Sequence, residues 1–231
     1  MKASISFKLA TVCIVGFISL PAFASGWSDT KNTADDDVYF DHRVTFYCGC
    51  DYVSDGDRDG SGHPMLDTCG YTGPSTHSSR AKQIEWEHVV PASLMPARQF
   101  ECWTKGSRSD CERDDPQAQA MIFDLHNLVP SIGQVNALRL NDRYGEIAGE
   151  ERKFGACEVE DSKGIFEPRD SERGDVARIW LYMAERHGVE LAPGEREMFI
   201  RWHEADPVSD WEVERDKRIE KLQGTSNHWV R

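Results

Sequence analysis

The chain has 231 residues and a mass of 26.2 kDa, enough for one ample hydrophobic core and too little for three domains. Hydrophobic residues at 39% and charged residues at 29% exclude a disordered or fibrous chain. A net charge of −13 excludes a protein that coats nucleic acid or anionic membrane with a basic surface, though not one with a local cationic groove.

Met1, Lys2 and Lys8 head a largely apolar run over residues 9–20, and Pro21-Ala22-Phe23-Ala24 puts small residues at the −3 and −1 positions of a cleavage site before Ser25. This pattern predicts a secretory leader over residues 1–24, too short in its apolar part to span a membrane. Its removal takes Lys2 and Lys8 away, so the mature chain, residues 25–231, carries −15. No later stretch approaches the ~18 apolar residues of a spanning helix, so the mature protein is expected to be exported, to the periplasm or beyond, with no membrane segment.

Next in chain order, residues 43–48 and 84–90 have the β-branched and aromatic content of strands. Residues 116–124 and 131–141 read as short helices, the second with Pro130 as its start signal. Val176, Ile179, Trp180 and Met183 recur at i, i+3, i+4 and i+7, with Ser171 as N-cap and Gly188 as the C′ residue. Helices over 198–204 and, after Pro207, over 211–222 complete the chain. Strands early and helices late predict one mixed α+β domain.

Export decides how the cysteines read. Cys13 leaves with the leader, and six remain: Cys48, Cys50, Cys69, Cys102, Cys111 and Cys157. An even number in an oxidising compartment favours disulfides, and six cysteines allow fifteen pairings. Cys48 and Cys50, placed on one side of the first strand, are poorly set to bond each other, and their spacing is wrong for a zinc knuckle. Cys102 and Cys111 bracket a short Gly/Ser/Asp-rich loop and make the most economical local pair.

Asp55, Asp57, Asp59 and Gly60 match the opening of a calcium-binding EF-hand loop, but the twelfth position, which needs a bidentate Glu, is Leu66. A solvated acidic loop is the expectation. The chemistry concentrates instead between residues 84 and 141. Glu85-Trp86-Glu87-His88-Val89-Val90-Pro91 sets carboxylates beside a histidine in an apolar, strand-like run. Asp124-Leu125-His126-Asn127-Leu128-Val129-Pro130 follows, then Gln134 and Asn136. A neutral histidine is a base near physiological pH, while a carboxylate and an amide oxygen are hard ligands for magnesium. Together they suit water attack on a phosphodiester. One geometric objection stands: neighbours on a strand point to opposite faces, so Glu87 and His88 serve one site only where the strand bulges or ends. The segment over 80–113 holds six Lys/Arg against five Asp/Glu, and Arg80, Lys82, Arg98, Lys105, Arg108, Arg113, Arg139 and Arg143 are candidates to line a groove for phosphates.

At these residues the chain resembles the bacterial endonuclease I family, exported nucleases of the ββα-metal (His-Me finger) type. The matching stretches are Phe46-Tyr47-Cys48-Gly49-Cys50-Asp51, Thr68-Cys69-Gly70-Tyr71, residues 84–91, Cys102-Trp103 through Arg108 to Cys111, and Asp124-Leu125-His126-Asn127-Leu128 leading to Asn136. Weaker similarity reaches Gly224, so the resemblance spans nearly the whole mature chain. It implies a ββα-metal core, His88 as general base, Glu87 and Asn136 holding one Mg2+ ion (with Mn2+ or Ca2+ as substitutes), and Arg108 stabilising the phosphate or leaving group. Substrate phosphates are expected at Lys105, Arg98, Arg139 and Arg143. The implied substrate is DNA, and RNA as well, cut by a monomer with little sequence preference. The cysteines left after Cys102–Cys111 are expected to pair as Cys50–Cys69 and Cys48–Cys157, an assignment that the residues by themselves leave open. One departure is plain. The family carries a cysteine in a Trp-Glu-Cys stretch and another in a C-terminal tail, whereas here the stretch is Trp211-Glu212-Val213 and the second is absent too, as for the loss of one whole bridge.

Overall fold

The computed structural model describes residues 26–57, 59–149 and 153–231, and the leader expected over residues 1–24 lies outside them. Helix α1 (Trp27–Thr33) opens the described chain and continues as a wider turn over Ala34–Val38. The strand expected over residues 43–48 does not form. Val44 makes a single antiparallel bridge to Asp51, and the chain then reverses through Gly49 at φ 66°. The apolar content that suggested a strand reflects burial: Thr45, Tyr47 and Cys48 are all buried within a turn. Two bridges pull its ends apart, Cys48 to Cys157 and Cys50 to Cys69, and a third, Cys102–Cys111, closes the nine-residue step that was the economical pair.

Strands β1 (Tyr52–Ser54) and β2 (Gly62–Pro64) pair antiparallel around the acidic loop. Strand β3 (Ile84–His88) is the expected one, ending at His88 rather than Val90. Three short helices follow, α2 (Glu101–Thr104), α3 (Arg108–Asp114) and α4 (Pro116–Ile122). Helix α4 starts where its residues require: the Asp115 carboxylate accepts from Gln117 N and Ala118 N, both at 2.9 Å, and Pro116 occupies the first turn.

Strand β4 (Leu128–Ile132) then pairs antiparallel with β3, Ile84 opposite Ile132 and His88 opposite Leu128. Helix α5 (Gly133–Arg139) follows without a loop. This corrects the reading of 131–141 as one helix. Pro130 lies inside the strand, opposite Trp86, instead of starting a helix. Its carbonyl faces away from β3 and accepts from Phe46 N at 2.8 Å, so its missing N–H falls on the side where the two-stranded ladder needs none. Gly133 lets α5 begin hard against β3, since a Cβ there would stand 2.6 Å from the Glu85 carboxylate.

The remainder holds a three-stranded sheet and three helices. In the sheet, β7 (Ile165–Glu167) lies between β5 (Arg143–Tyr144), parallel to it, and β6 (Glu160–Ser162), antiparallel. Helix α6 (Arg173–His187) buries Val176, Ile179, Trp180 and Met183 at the expected spacing and ends at Gly188 with φ 71°. Ser171 is not its N-cap. It sits in a tight turn one residue too early, donating to Glu172 Oε2 at 2.7 Å, and Glu172 takes the cap position. Helices α7 (Glu195–Ala205) and α8 (Asp210–Gln223) complete the single mixed domain, α8 opened by a reciprocal Ser209–Glu212 capping box.

Asp124 joins these parts. Its Oδ2 accepts from Tyr182 Oη at 3.0 Å and meets His187 Nε2 at 2.7 Å, while its Oδ1 accepts from Gln223 Nε2 at 2.8 Å. Burial alone would raise this carboxyl, but the His187 bond, the nearby His126 and the Gln223 amide outweigh it and hold it down at about 2. A folded-state value below the unfolded 3.8 contributes stability that is present above that pH and lost as pH falls towards 2. We expect urea unfolding followed from pH 6 to pH 2 to show about 2 kcal/mol of acid-side loss that disappears in Asp124→Asn. An unchanged acid limb in that variant would show that Asp124 is not its source.

Candidate active site

The geometry of the site is a matching of two periodicities. Glu85 and Glu87, two apart on β3, share one face of the strand. Asn136 and Arg139, three apart on α5, share one face of the helix packed against it. Asn136 Nδ2 donates to Glu85 Oε2 at 2.8 Å, and Arg139 Nη1 donates to Glu87 Oε1 at 2.7 Å.

Glu87 is 3% exposed. Burial pushes its carboxyl up, and the Arg139 guanidinium and the Tyr47 hydroxyl, which donates to Oε1 at 3.0 Å, pull it back. Because the Tyr47 proton goes to Glu87, the short contact between the Tyr47 and Tyr144 hydroxyls has Tyr144 as donor. Arg139 is fully buried and also donates to the carbonyls of His88 and Val89, both at 2.8 Å. It is therefore sealed away from any phosphate, which corrects its reading as a substrate contact: it holds the strand end and the carboxylate.

His88, 8% exposed, meets the Ile122 carbonyl with Nε2 at 2.8 Å. A carbonyl can only accept, so Nε2 carries the proton and Nδ1 keeps its lone pair. Burial first, then the charge of Arg108, drive the imidazole down to about 3 against the opposing Ile122 bond, so it is neutral at physiological pH. The same logic orients Asn136. Its Glu85 neighbour accepts only, so the amide nitrogen faces Glu85 and Oδ1 is the amide's remaining acceptor.

Arg108 opens α3 after its N-cap, Ser107, whose side chain accepts from Asp110 N. Its Nε donates to Glu112 Oε1 at 2.5 Å, and the Cys102–Cys111 bridge ties α3 back to α2. Glu87, His88, Arg108 and Asn136 all line one cleft of 880 Å3. The geometric objection is met because β3 stops at His88 and the cleft reaches residues from both of its faces. Trp86 donates from Nε1 to the Gly60 carbonyl at 2.6 Å, which brings Asp55 and Asp59 of the acidic loop to the rim of the same cleft.

The expected cationic groove is not there. Among the described residues lining the cleft, Asp55, Asp59, Glu85, Glu87 and Glu112 face only Lys31 and Arg108. Most of the other candidate cations are engaged by neighbouring side chains. Arg80 pairs with Glu85, Arg113 with Asp110 and Asp114, exposed Lys105 with Glu101, and Arg143 with Glu195 at 2.6 Å. Exposed Arg98 lies over the Trp103 ring, outside the cleft lining. Sequence reasoning also missed Trp27 and Glu85 as cleft residues. The i, i+2 spacing of Glu85 and Glu87 was the available signal for the second, whereas nothing local announces the first.

Comparison with known proteins places this chain among the nucleases, hydrolases of nucleic-acid phosphodiester bonds. It belongs to the Endonuclease I family, whose model matches residues 28–231. The chain is 38% identical over 229 residues to an extracellular deoxyribonuclease of Aeromonas hydrophila, covering 98% of this chain and 96% of the relative. A periplasmic deoxyribonuclease of the same organism is 38% identical over 196 residues, covering 84% and 80%. An extracellular ribonuclease of Bacillus subtilis is 32% identical over 125 residues, covering 46% and 43%.

The contrast between two arginines tests the geometry. Arg139→Met leaves Glu87 buried without its partner and is expected to cost roughly 3–5 kcal/mol in urea unfolding. Arg143→Met removes an ion pair whose arginine side chain is 33% exposed and is expected to cost about 1 kcal/mol or less. Equal losses would contradict the assignment of Arg139 to the buried framework.

Proposed function

We propose that this endonuclease is exported and hydrolyses DNA, and RNA as well, without sequence preference, by water attack at a phosphodiester with His88 as general base. The observation that carries this reading is the shared cleft, in which a neutral imidazole with an available Nδ1 lies with Glu87, Asn136 and Arg108. The β3–β4 pair leading directly into α5 supports reading these residues as a ββα-metal core. Residues 1–24 act as the leader in this reading, and residues 25–231 as a monomeric enzyme of the periplasm or the medium.

Glu87 and Asn136 would hold one Mg2+ ion, for which Mn2+ or Ca2+ can stand in. The fit rests on two features. Their donor atoms are hard oxygens, and the cleft is lined by five carboxylates, of which Glu87, Glu85 and Glu112 already engage Arg139, Arg80 and Arg108, so it offers little positive charge of its own to a phosphodiester. When bound, the ion supplies that charge to the phosphoryl and leaving oxygens. His88 Nδ1 accepts the proton of the attacking water while the Ile122 carbonyl keeps Nε2 protonated. Arg108, the arginine at the cleft, stabilises charge on the phosphate. Glu85 orients Asn136, and Arg139 and Tyr47 orient Glu87.

Because the nucleophile is water rather than a sugar 2′-hydroxyl, this chemistry does not distinguish DNA from RNA. The names of the relatives point the same way, deoxyribonucleases over most of the chain and a ribonuclease over less than half. Phosphate contacts carry no sequence information, so cutting is non-specific.

Purified mature protein incubated with Mg2+ should convert both plasmid and transfer RNA to small fragments, and EDTA should abolish both activities. His88→Ala should lower the rate by roughly 10²- to 10⁴-fold, and Glu87→Gln should raise the Mg2+ concentration needed for half-maximal rate. Full activity in His88→Ala, or cleavage insensitive to EDTA, would overturn the mechanism.

A further inference from the structure

Trp27 is the first residue of α1, sixty-one positions before His88 in the chain, yet it lines the catalytic cleft. Its indole stacks on the His88 imidazole, with ring centroids 5.1 Å apart and planes 16° from parallel. The Arg108 guanidinium stands 5.7 Å from the indole centroid, and the Phe123 ring, also near parallel, 6.3 Å away. We propose that Trp27 is a positioning residue that fixes the plane of the general base and the place of the phosphate-stabilising arginine as one unit. The proposal rests on the roles given above to His88 and Arg108.

The mechanical need is specific. The bond from Nε2 to the Ile122 carbonyl fixes one atom of the imidazole. A ring held at one atom can still tilt, and tilting swings Nδ1 away from the attacking water. A flat partner stacked on the ring removes that freedom. Arg108 poses the same problem in another form. Its Nε bond runs to Glu112 on its own helix, so it orients the guanidinium within α3 without relating it to β3. The indole touches both groups and so relates them. A guanidinium near an aromatic face is attracted by the ring quadrupole, and tryptophan provides the strongest such face.

The platform is itself anchored. Gly26 O accepts from Thr30 N and Thr30 Oγ1, each at 3.0 Å, which fastens the start of α1. Farther along, Ala34, Val38 and Tyr39 are buried against Trp86, Leu128 and Ile219. Trp27 packs against both this cluster and the main core. One end of the segment is thus fastened to the β3–β4 pair, and its other end presents the indole to the base carried by β3.

The test is steady-state kinetics on plasmid DNA for Trp27→Phe, Trp27→Leu and Trp27→Ala, with urea midpoints for each. Phe keeps a stacking ring, and Leu keeps apolar bulk without one. We expect kcat to fall roughly 10- to 100-fold in the Leu and Ala variants with KM within about threefold of the parent, and Phe to recover kcat to within about threefold. A Leu variant with the parent's kcat would overturn the proposal. So would a kcat loss that Phe does not recover, or one that tracks a falling urea midpoint across all three variants. His88→Ala and Arg108→Ala, assayed in parallel, separate this inference from the mechanism beneath it. If they lose activity and Trp27→Leu does not, only the positioning role fails; if they too are fully active, the mechanism fails.

Discussion

The buried guanidinium of Arg139 is the contact on which the site depends. A carboxylate as enclosed as Glu87 is tolerated only with a charge partner, and Arg139 supplies it. The same side chain satisfies the carbonyls of His88 and Val89 at the point where the β3–β4 ladder runs out. One residue thus keeps a charge inside the protein and closes the end of a strand. Since Asn136 lies one turn earlier on the same helix, the contact that seats α5 against β3 also sets Asn136 beside Glu85. The spacing of two carboxylates along a strand and of two donors along a helix makes this a rigid fit.

The charge of the cleft follows from that economy. The cations around it are mostly committed, Arg139 to Glu87, Arg80 to Glu85 and Arg108 to Glu112, and those that line it beside the carboxylates are Lys31 and Arg108. An acidic cleft lining in an acidic protein is an unusual place to receive a polyanion, and under the proposed mechanism an added cation serves substrate entry as well as chemistry. The imidazole is protected from the opposite hazard. Enclosed, and near two guanidinium groups, the His88 imidazole is held in its neutral form, as the proposed role of base requires.

Much of this was legible in the residues. The helical face of α6, the start of α4 at Pro116, the strand carrying Glu87 and His88, and the local cysteine pair all follow from periodicity, turn chemistry or spacing that a few neighbouring residues define. Local signals misled where burial imitated secondary structure. The apolar run before Gly49 is a buried turn, and Pro130, a frequent helix starter, sits in a strand because its outward edge needs no donor.

The chain alone determined which chemistries were available: a histidine, oxygen ligands and an arginine within residues 84–141, in an exported frame held by cysteines. Only the tertiary structure decided which arginine is counter-charge and which faces the cleft, because side chains of one type are told apart by what they are packed against. It alone brought Trp27 onto His88, since a stacking partner sixty-one residues away leaves no trace in local pattern and exists only once the core has closed around both.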